Sequence, residues 1–243
     1  MRNDGRQNNR MRPLEIVPGF LKNAHGSVLV SFGNTKVVCS AMIVDGVPPH
    51  AKASGTGWLT AEYDMLPGST LDRTSRDRNK GQINGRSSEI QRLIGRSIRA
   101  AIDYRAIGER TLWLDCDVLQ ADGGTRTAAL TGAFPAAVLA LAELRSRGKL
   151  AALPVLDSVA AISVGIVDGE AMVDLNYEED RRAEVDMNVV MSGGGKFIEV
   201  QGTAEREPFD REQLDAMLAL AAEAISAITE KQLAVLKGVW RPG

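Results

Sequence analysis

At 243 residues, 44% hydrophobic and 25% charged, the chain has the make-up of a soluble globular protein, long enough for one large domain or two fused halves. A formal net charge of −2 and 5% aromatic residues single out no partner, while the polar opening and the absence of an apolar run of membrane-spanning length exclude a signal peptide and a bilayer segment. The two cysteines, Cys39 and Cys116, lack metal-ligand spacing and sit in apolar strand patterns, which reads as free thiols in a reducing cytoplasm.

In chain order, residues 1–13 carry Arg2, Arg6, Arg10 and Arg12 and read as an extended arm. Val28, Val30 and Phe32 alternate, Gly33-Asn34 offers a turn, and residues 35–44 resume a strand, giving a hairpin. Pro48, Pro49 and Gly55 mark a loop, residues 58–65 a further short strand, and residues 67–85 a long surface loop of the kind that is functional or mobile. From Ser88, Ile90, Leu93, Ile94, Ile98, Ala101 and Ile102 define one helix face. Arg92, Arg96 and Arg99 fall within about 60° of one another on the other side. Residues 73–110 hold ten basic against four acidic residues, an excess concentrated in a chain that is acidic as a whole. A solvated face accounts for such a stripe; the preference for Arg over Lys points equally to polyanion contact or a charged subunit interface, because a guanidinium pairs phosphate through two N–H groups.

The chain is organised around Asp115–Thr127. Leu112, Leu114, Cys116 and Val118 alternate as a strand, Gly123-Gly124 interrupts it, and from Leu130 the spacing turns helical, so Gly124, Thr125 and Arg126 fall at a helix N-terminus. Free N–H groups, the helix dipole, a hydroxyl and a guanidinium at one place suit a phosphate; a glycine turn with a threonine cap is the plainer alternative. The apolar run from Ala128 to Ala142 is interrupted by Thr131 and Pro135, and Pro135 predicts a kink. Further on, Asp168-Gly169 joins two strands as a hairpin, residues 176–182 form a charged loop, and Ala183, Val185, Met187 and Val189 alternate as a strand. Asp186 and Glu184 share its outer face, with Asp180 in the loop that feeds it. Such carboxylates serve solubility or hold a hard divalent cation together with waters and substrate phosphate. Gly193-Gly194-Gly195-Lys196 is followed by Phe197 where a nucleotide loop needs Ser or Thr, and reads as a hairpin turn. A long amphipathic helix follows Pro208. His25 and His50 have no partner motif, and no serine or cysteine triad is visible.

An anion seat, an arginine surface and a few carboxylates without a protein nucleophile fit a reaction in which inorganic phosphate attacks. The residues that do this also carry a likeness. From Arg2-Asn3-Asp4-Gly5-Arg6 through Gly57–Tyr63, Met65-Leu66-Pro67, Glu89–Arg96, Asp115-Cys116-Asp117 and Ala121–Thr127 to Val185–Asn188, the chain resembles the bacterial ribonuclease PH family from end to end. That resemblance implies an α/β (α+β), ribosomal-protein-S5-domain-2-like fold of two βαβα-type lobes in one compact domain, with a core lobe at about residues 14–150 and a second lobe at about 151–243. It implies phosphorolytic, reversible 3′–5′ trimming of tRNA precursors and other RNA 3′ ends by a cytoplasmic homohexamer, a trimer of dimers. By motif, Arg86, Gly124, Thr125 and Arg126 would hold the phosphate, and Asp180 and Asp186 would be catalytic and hold Mg²⁺. Arg73 and Arg76 would join dimers into the ring, and Arg92, Arg96 and Arg99 would meet RNA. Arg181-Arg182 departs from the small polar residues common in that place. A non-catalytic ring subunit or a hydrolytic metal nuclease are the rival readings; the first sits poorly with Asp180, Asp186 and Arg126 all being present, the second with a phosphate seat.

Overall fold

The computed structural model describes residues 2–52, 55–76, 81 and 84–242. Five strands, β1 (Leu14–Pro18), β2 (Gly26–Phe32), β3 (Thr35–Asp45), β4 (Trp58–Met65) and β5 (Arg110–Gln120), form one sheet in the order β1-β2-β3-β5-β4. Only β4 runs parallel to its neighbour. Four more, β6 (Val159–Val167), β7 (Glu170–Val173), β8 (Val185–Ser192) and β9 (Phe197–Ala204), form an antiparallel sheet in the order β7-β6-β8-β9. The helices are α1 (Pro49–Lys52), α2 (Gly85–Ala101), α3 (Thr125–Ser146), α4 (Tyr177–Arg182) and α5 (Arg211–Val235).

The centre of the molecule is α3. It packs against β2, β3 and β5 on one side and β6 on the other, so both sheets close on it, and a helix that is apolar all round is the sequence that this position demands. It is longer than the apolar run read from the sequence, and by length and composition it could cross a membrane, but 83% of its apolar window is buried inside the fold, as in a core helix. The helix runs unbroken through Pro135. The Thr131 carbonyl, which Pro135 has no N–H to serve, instead accepts from Gln232 Nε2 on α5 at 2.9 Å. The two buried thiols, Cys39 and Cys116, are free and lie directly opposite each other on β3 and β5 beneath α3.

Local chemistry explains the ends of these elements. Asn84 caps α2 by accepting from the Ser87 N–H at 2.7 Å, and α5 begins at a capping box in which Asp210 and Gln213 serve each other's backbone. The charged segment expected to be a loop at residues 176–182 is instead the helix α4. Asn176 accepts from the Glu179 N–H and the Glu179 carboxylate accepts from the Asn176 N–H, both at 3.0 Å. Asn-x-x-Glu is a helix-start signature, and three acids in the first turn and two arginines in the last suit the dipole. The residues 1–13 do not trail away as an arm: Arg2 and Arg12 are 5% and 6% exposed, docked against the second sheet and α4.

Candidate active site

The turn between β5 and α3 adopts two successive left-handed residues, Gly123 (φ 73°) and Gly124 (φ 64°), and Gly124 stands as N-cap with no side chain to cap the helix. A Cβ at Gly123 would lie 2.4 Å from the Leu175 carbonyl, so close approach of the two lobes, as well as φ, requires glycine here. The Thr127 hydroxyl turns back to the Gly124 carbonyl at 2.9 Å. The first N–H groups of α3 have no carbonyl before them in the helix, and with the positive dipole end they form an anion cradle. Thr125 opens the helix, and Tyr63 from β4, buried with its phenol pushed up by burial, donates to the Thr125 hydroxyl at 2.8 Å. Thr125's own proton is thereby left to point at a ligand.

Arg126 follows. It donates to Gln201 Oε1 on β9 at 3.2 Å and lies 3.6 Å from Glu89 on α2, while Gln201 donates to the same Glu89 carboxylate. The side chain is thus held in place by a neutral amide and a half-exposed acid. Arg86, on the first turn of α2, is exposed and close enough to bear on the same groups.

Facing these cations are Asp180 on α4 and Asp186 on β8, the latter opposite Thr203 and Gly165 in the sheet register. Burial raises the Asp180 carboxyl above its ordinary range, with Arg86 and Arg126 pulling it down and Glu205 adding to the rise. For Asp186, burial and then the neighbouring Asp180 charge push the value up to about 6 against the pull of Arg126 and Arg86. Among the described residues no ion pair joins either arginine to either aspartate; the guanidiniums act through space. Two crowded acids beside two cations that do not neutralise them make a site with capacity left over, which is what a ligand carrying both an anion and a cation would use.

The structure therefore brings together the six residues expected at the site: Arg86, Gly124, Thr125, Arg126, Asp180 and Asp186. The arginine stripe is less uniform than the sequence suggests. Arg92 is exposed, but Arg96 forms a two-pronged pair with Glu199, and the Arg99 guanidinium lies 5.2 Å from the centroid of the Trp58 ring while bonding the Gly95 carbonyl. Arg73 is exposed and Arg76 partly so, its charge opposing the rise that burial and then Asp64 impose on the Asp117 carboxyl; Arg78 and Lys80 of the basic excess lie outside the described residues. Sequence reasoning missed Tyr63, Glu89 and Gln201, which aim the ligand-facing groups from other elements; strand and helix periodicity holds no signal for such long-range partners. The histidines are engaged away from the site, His25 accepting from the Ile43 N–H at 2.9 Å and His50 edge-on to Trp58.

Models of the 3′ exoribonuclease family match the chain in two parts, domain 1 over residues 10–145 and domain 2 over residues 157–224. Ribonuclease PH of Syntrophomonas wolfei subsp. wolfei is 56% identical over 235 residues, spanning 97% of this chain and 98% of that one. Ribonuclease PH of Bacillus subtilis (strain 168) is 52% identical over 237 residues, 97% of each. In fold, the chain is similar to rice (Oryza sativa) Rrp46 with a TM-score of 0.78 at 20% identity, over 97% of this chain and all of that one. It is equally similar to a chain of the Archaeoglobus fulgidus exosome with RNA bound to the active site, with a TM-score of 0.78 at 23% identity over 95% and 92%. The chain belongs to the ribonuclease PH family. It is a phosphate-dependent nucleotidyltransferase that trims RNA 3′ ends in tRNA maturation.

Proposed function

We propose that inorganic phosphate is bound by the α3 N-terminus, Thr125, Arg126 and Arg86, and attacks the terminal phosphodiester of RNA in front of Asp180 and Asp186. The observation that carries this reading is the convergence, on one face, of a helix N-terminus without a side-chain cap, Arg86 and Arg126, and two carboxylates with which, among the described residues, neither arginine forms an ion pair. Gly124, in the left-handed conformation, turns the backbone so that the N–H groups of Thr125 and Arg126 face the ligand. Thr125 donates its hydroxyl proton, and Arg126, aimed by Gln201 and Glu89, and Arg86 supply charge where the phosphate carries it. An oxygen of the bound phosphate forms a bond to phosphorus as the bond to the departing 3′ oxygen breaks, so the terminal nucleotide leaves as a nucleoside diphosphate. Orientation and preorganised charge are the protein's contribution, since phosphate brings its own nucleophile.

Asp180 and Asp186 fit Mg²⁺: both offer hard oxygen donors, and Asp186, raised to about 6 by burial and then by the neighbouring Asp180 charge, carries a buried charge that a divalent cation would stabilise. Among the described residues no group of three His, Cys, Asp or Glu side chains stands ready to hold a metal, so water and substrate oxygens would have to complete the coordination of an ion held by Asp180 and Asp186. When bound, Mg²⁺ would supply Lewis-acid stabilisation of charge on the scissile group. The same reading takes tRNA precursors as substrates in the cytoplasm, Arg92, with Arg96 and Arg99 beside it, as the RNA track, and Arg73 and Arg76 as the contacts of a homohexameric ring built from one domain with lobes at about residues 14–150 and 151–243.

Product analysis tests it. A tRNA with a short 3′ extension is incubated with protein and Mg²⁺, with and without inorganic phosphate, alongside Arg126→Ala and Asp186→Ala. Phosphate-dependent release of nucleoside diphosphates, lost by about two to three orders of magnitude in each variant, and extension of RNA in excess nucleoside diphosphate are expected. Monophosphates released without phosphate would make the site hydrolytic and sink the anion-seat assignment.

A further inference from the structure

Residues 2–12 carry charges that phosphorolysis does not use, and one of them spans the two lobes. Arg12 donates through Nε and one terminal nitrogen to the two oxygens of Asp174, at 2.9 and 2.6 Å, and its backbone N–H reaches the same carboxylate at 2.7 Å. Its other terminal nitrogen donates to the Asp122 carbonyl, and the Gly123 carbonyl lies 3.4 Å from the first. One guanidinium therefore bonds both the residue that ends the β7 region and the carbonyls of the two residues just before Gly124. Asp174 is 1% exposed and holds φ 55°, a left-handed conformation that costs a non-glycine residue and persists only where its surroundings demand it. Two residues later Asn176 caps α4, the helix of Asp180. The Asp122 carboxylate completes the link by accepting from the Tyr177 N–H at the start of α4, at 3.2 Å, and from Asn34 at 3.2 Å. Where Gly123 packs on Leu175, the two lobes touch backbone to backbone.

We infer that Arg12 is a positioning residue for phosphorolysis: it sets the Asp122–Gly124 turn, and with it the N–H groups of α3, against the start of α4. The inference rests on the assignment of phosphate to that turn. Thr35 also holds the Gly123 carbonyl, at 2.7 Å, so removal of Arg12 loosens the turn without abolishing it. Loss is expected in phosphate binding ahead of RNA binding, because Arg12 bonds the turn and none of the residues on the arginine stripe. A guanidinium is needed for the span, since a lysine ammonium is one point with no fork to bond a carboxylate and two carbonyls together.

The test is Arg12→Gln and Arg12→Lys in the full chain. Initial rates are measured against inorganic phosphate at saturating RNA and against RNA at saturating phosphate, with the rise in Tm on adding inorganic phosphate measured without RNA. The expected result is a KM for phosphate raised about tenfold in Arg12→Gln and about threefold in Arg12→Lys, a KM for RNA within about twofold of wild type, and a reduced Tm response to phosphate. A wild-type phosphate KM in either folded variant overturns the inference, as does a parallel rise in both KM values, which marks general loosening. If Arg12→Gln does not fold, the Arg12→Lys titration decides. A wild-type protein that releases no nucleoside diphosphate and gains no Tm from phosphate would instead sink the phosphate assignment itself, whatever the variants do.

Discussion

Glu179 and Asp180 are consecutive residues on α4, yet their carboxyls move in opposite directions. Burial penalises both. Glu179, however, receives Arg2 in a two-pronged pair at 2.8 and 2.6 Å as well as the Asn176 N–H, and these hold it below its ordinary range. Asp180 meets Arg86 and Arg126 only through space and stays raised. Arginines and acids thus meet twice in the molecule, once in direct ion pairs, where Asp174 and Glu179 take Arg2, Arg6 and Arg12, and once at a distance, where among the described residues neither Arg86 nor Arg126 forms an ion pair with Asp180 or Asp186 and Arg126 lies against Glu89 instead. The paired set binds the lobes together. The unpaired set keeps its binding capacity for something from solution, and what separates them is one step along a helix that turns successive side chains to different sides.

The largest break in that comparison is expected from Asp186→Asn. Removing a charge from the unpaired set should lower phosphorolytic turnover by about three orders of magnitude while raising stability, since the charge is a burden to the empty fold. Steady-state rates and urea denaturation of the same preparation check both halves. A loss of activity accompanied by a loss of stability would mean that Asp186 is a structural residue after all.

The mirror experiment is Glu179→Gln. Here the carboxylate is satisfied, and its removal strands Arg2, whose side chain is fully buried; a destabilisation of about 3 kcal/mol is expected, read from the urea midpoint at unchanged slope. Turnover at a temperature where the variant remains folded should fall far less than in Asp186→Asn. Comparable losses of activity in the two variants would erase the distinction between a clamp and a site.

The site was far more legible in the sequence than the clamp. Gly123-Gly124-Thr125-Arg126 announces itself because strand period, glycines and helix period meet within a few residues, whereas the distant partners that hold the turn, Arg12 and Thr35, leave no local mark. Alternating strands and the two hairpins at Gly33-Asn34 and Asp168-Gly169 were legible for the same reason. Arg2 to Glu179 and Arg12 to Asp174 are separated by 177 and 162 residues, and nothing local marks a buried arginine in a polar N-terminal stretch. α4 was the one element misread whose signal was present: Asn176 and Glu179 stood at capping-box spacing, but the charged run around them read as loop. The burial of α3 on both faces needed the second sheet, which only the tertiary fold supplies.

The smallest expected effect sharpens the comparison by pH. Asp186 has a folded value of about 6 against an ordinary value of 3.8, so the folded state takes up a proton before the unfolded state does. Above pH 6 the carboxylate is ionised in both states and the full penalty for burying it is present; as pH falls through 6 the folded protein neutralises it, and the penalty fades toward 3.8. With metal chelated, wild type and Asp186→Asn should differ by about 2 kcal/mol at pH 7.5, after allowance for partial solvent access, and the gap should narrow to about a third of that by about pH 4.5. Glu179 works the opposite way: its folded value is lowered, so its contribution to stability is present at neutral pH and lost in acid. The gap between wild type and Glu179→Gln should accordingly also narrow in acid, but with wild type the more stable partner at neutral pH, whereas against Asp186→Asn wild type is the less stable one. Denaturant midpoints across pH 4.5 to 8 for the three proteins separate these signs, and a gap of the same sign in both comparisons would show that neighbouring carboxylates on α4 and β8 do not divide the labour of holding and binding as their surroundings indicate.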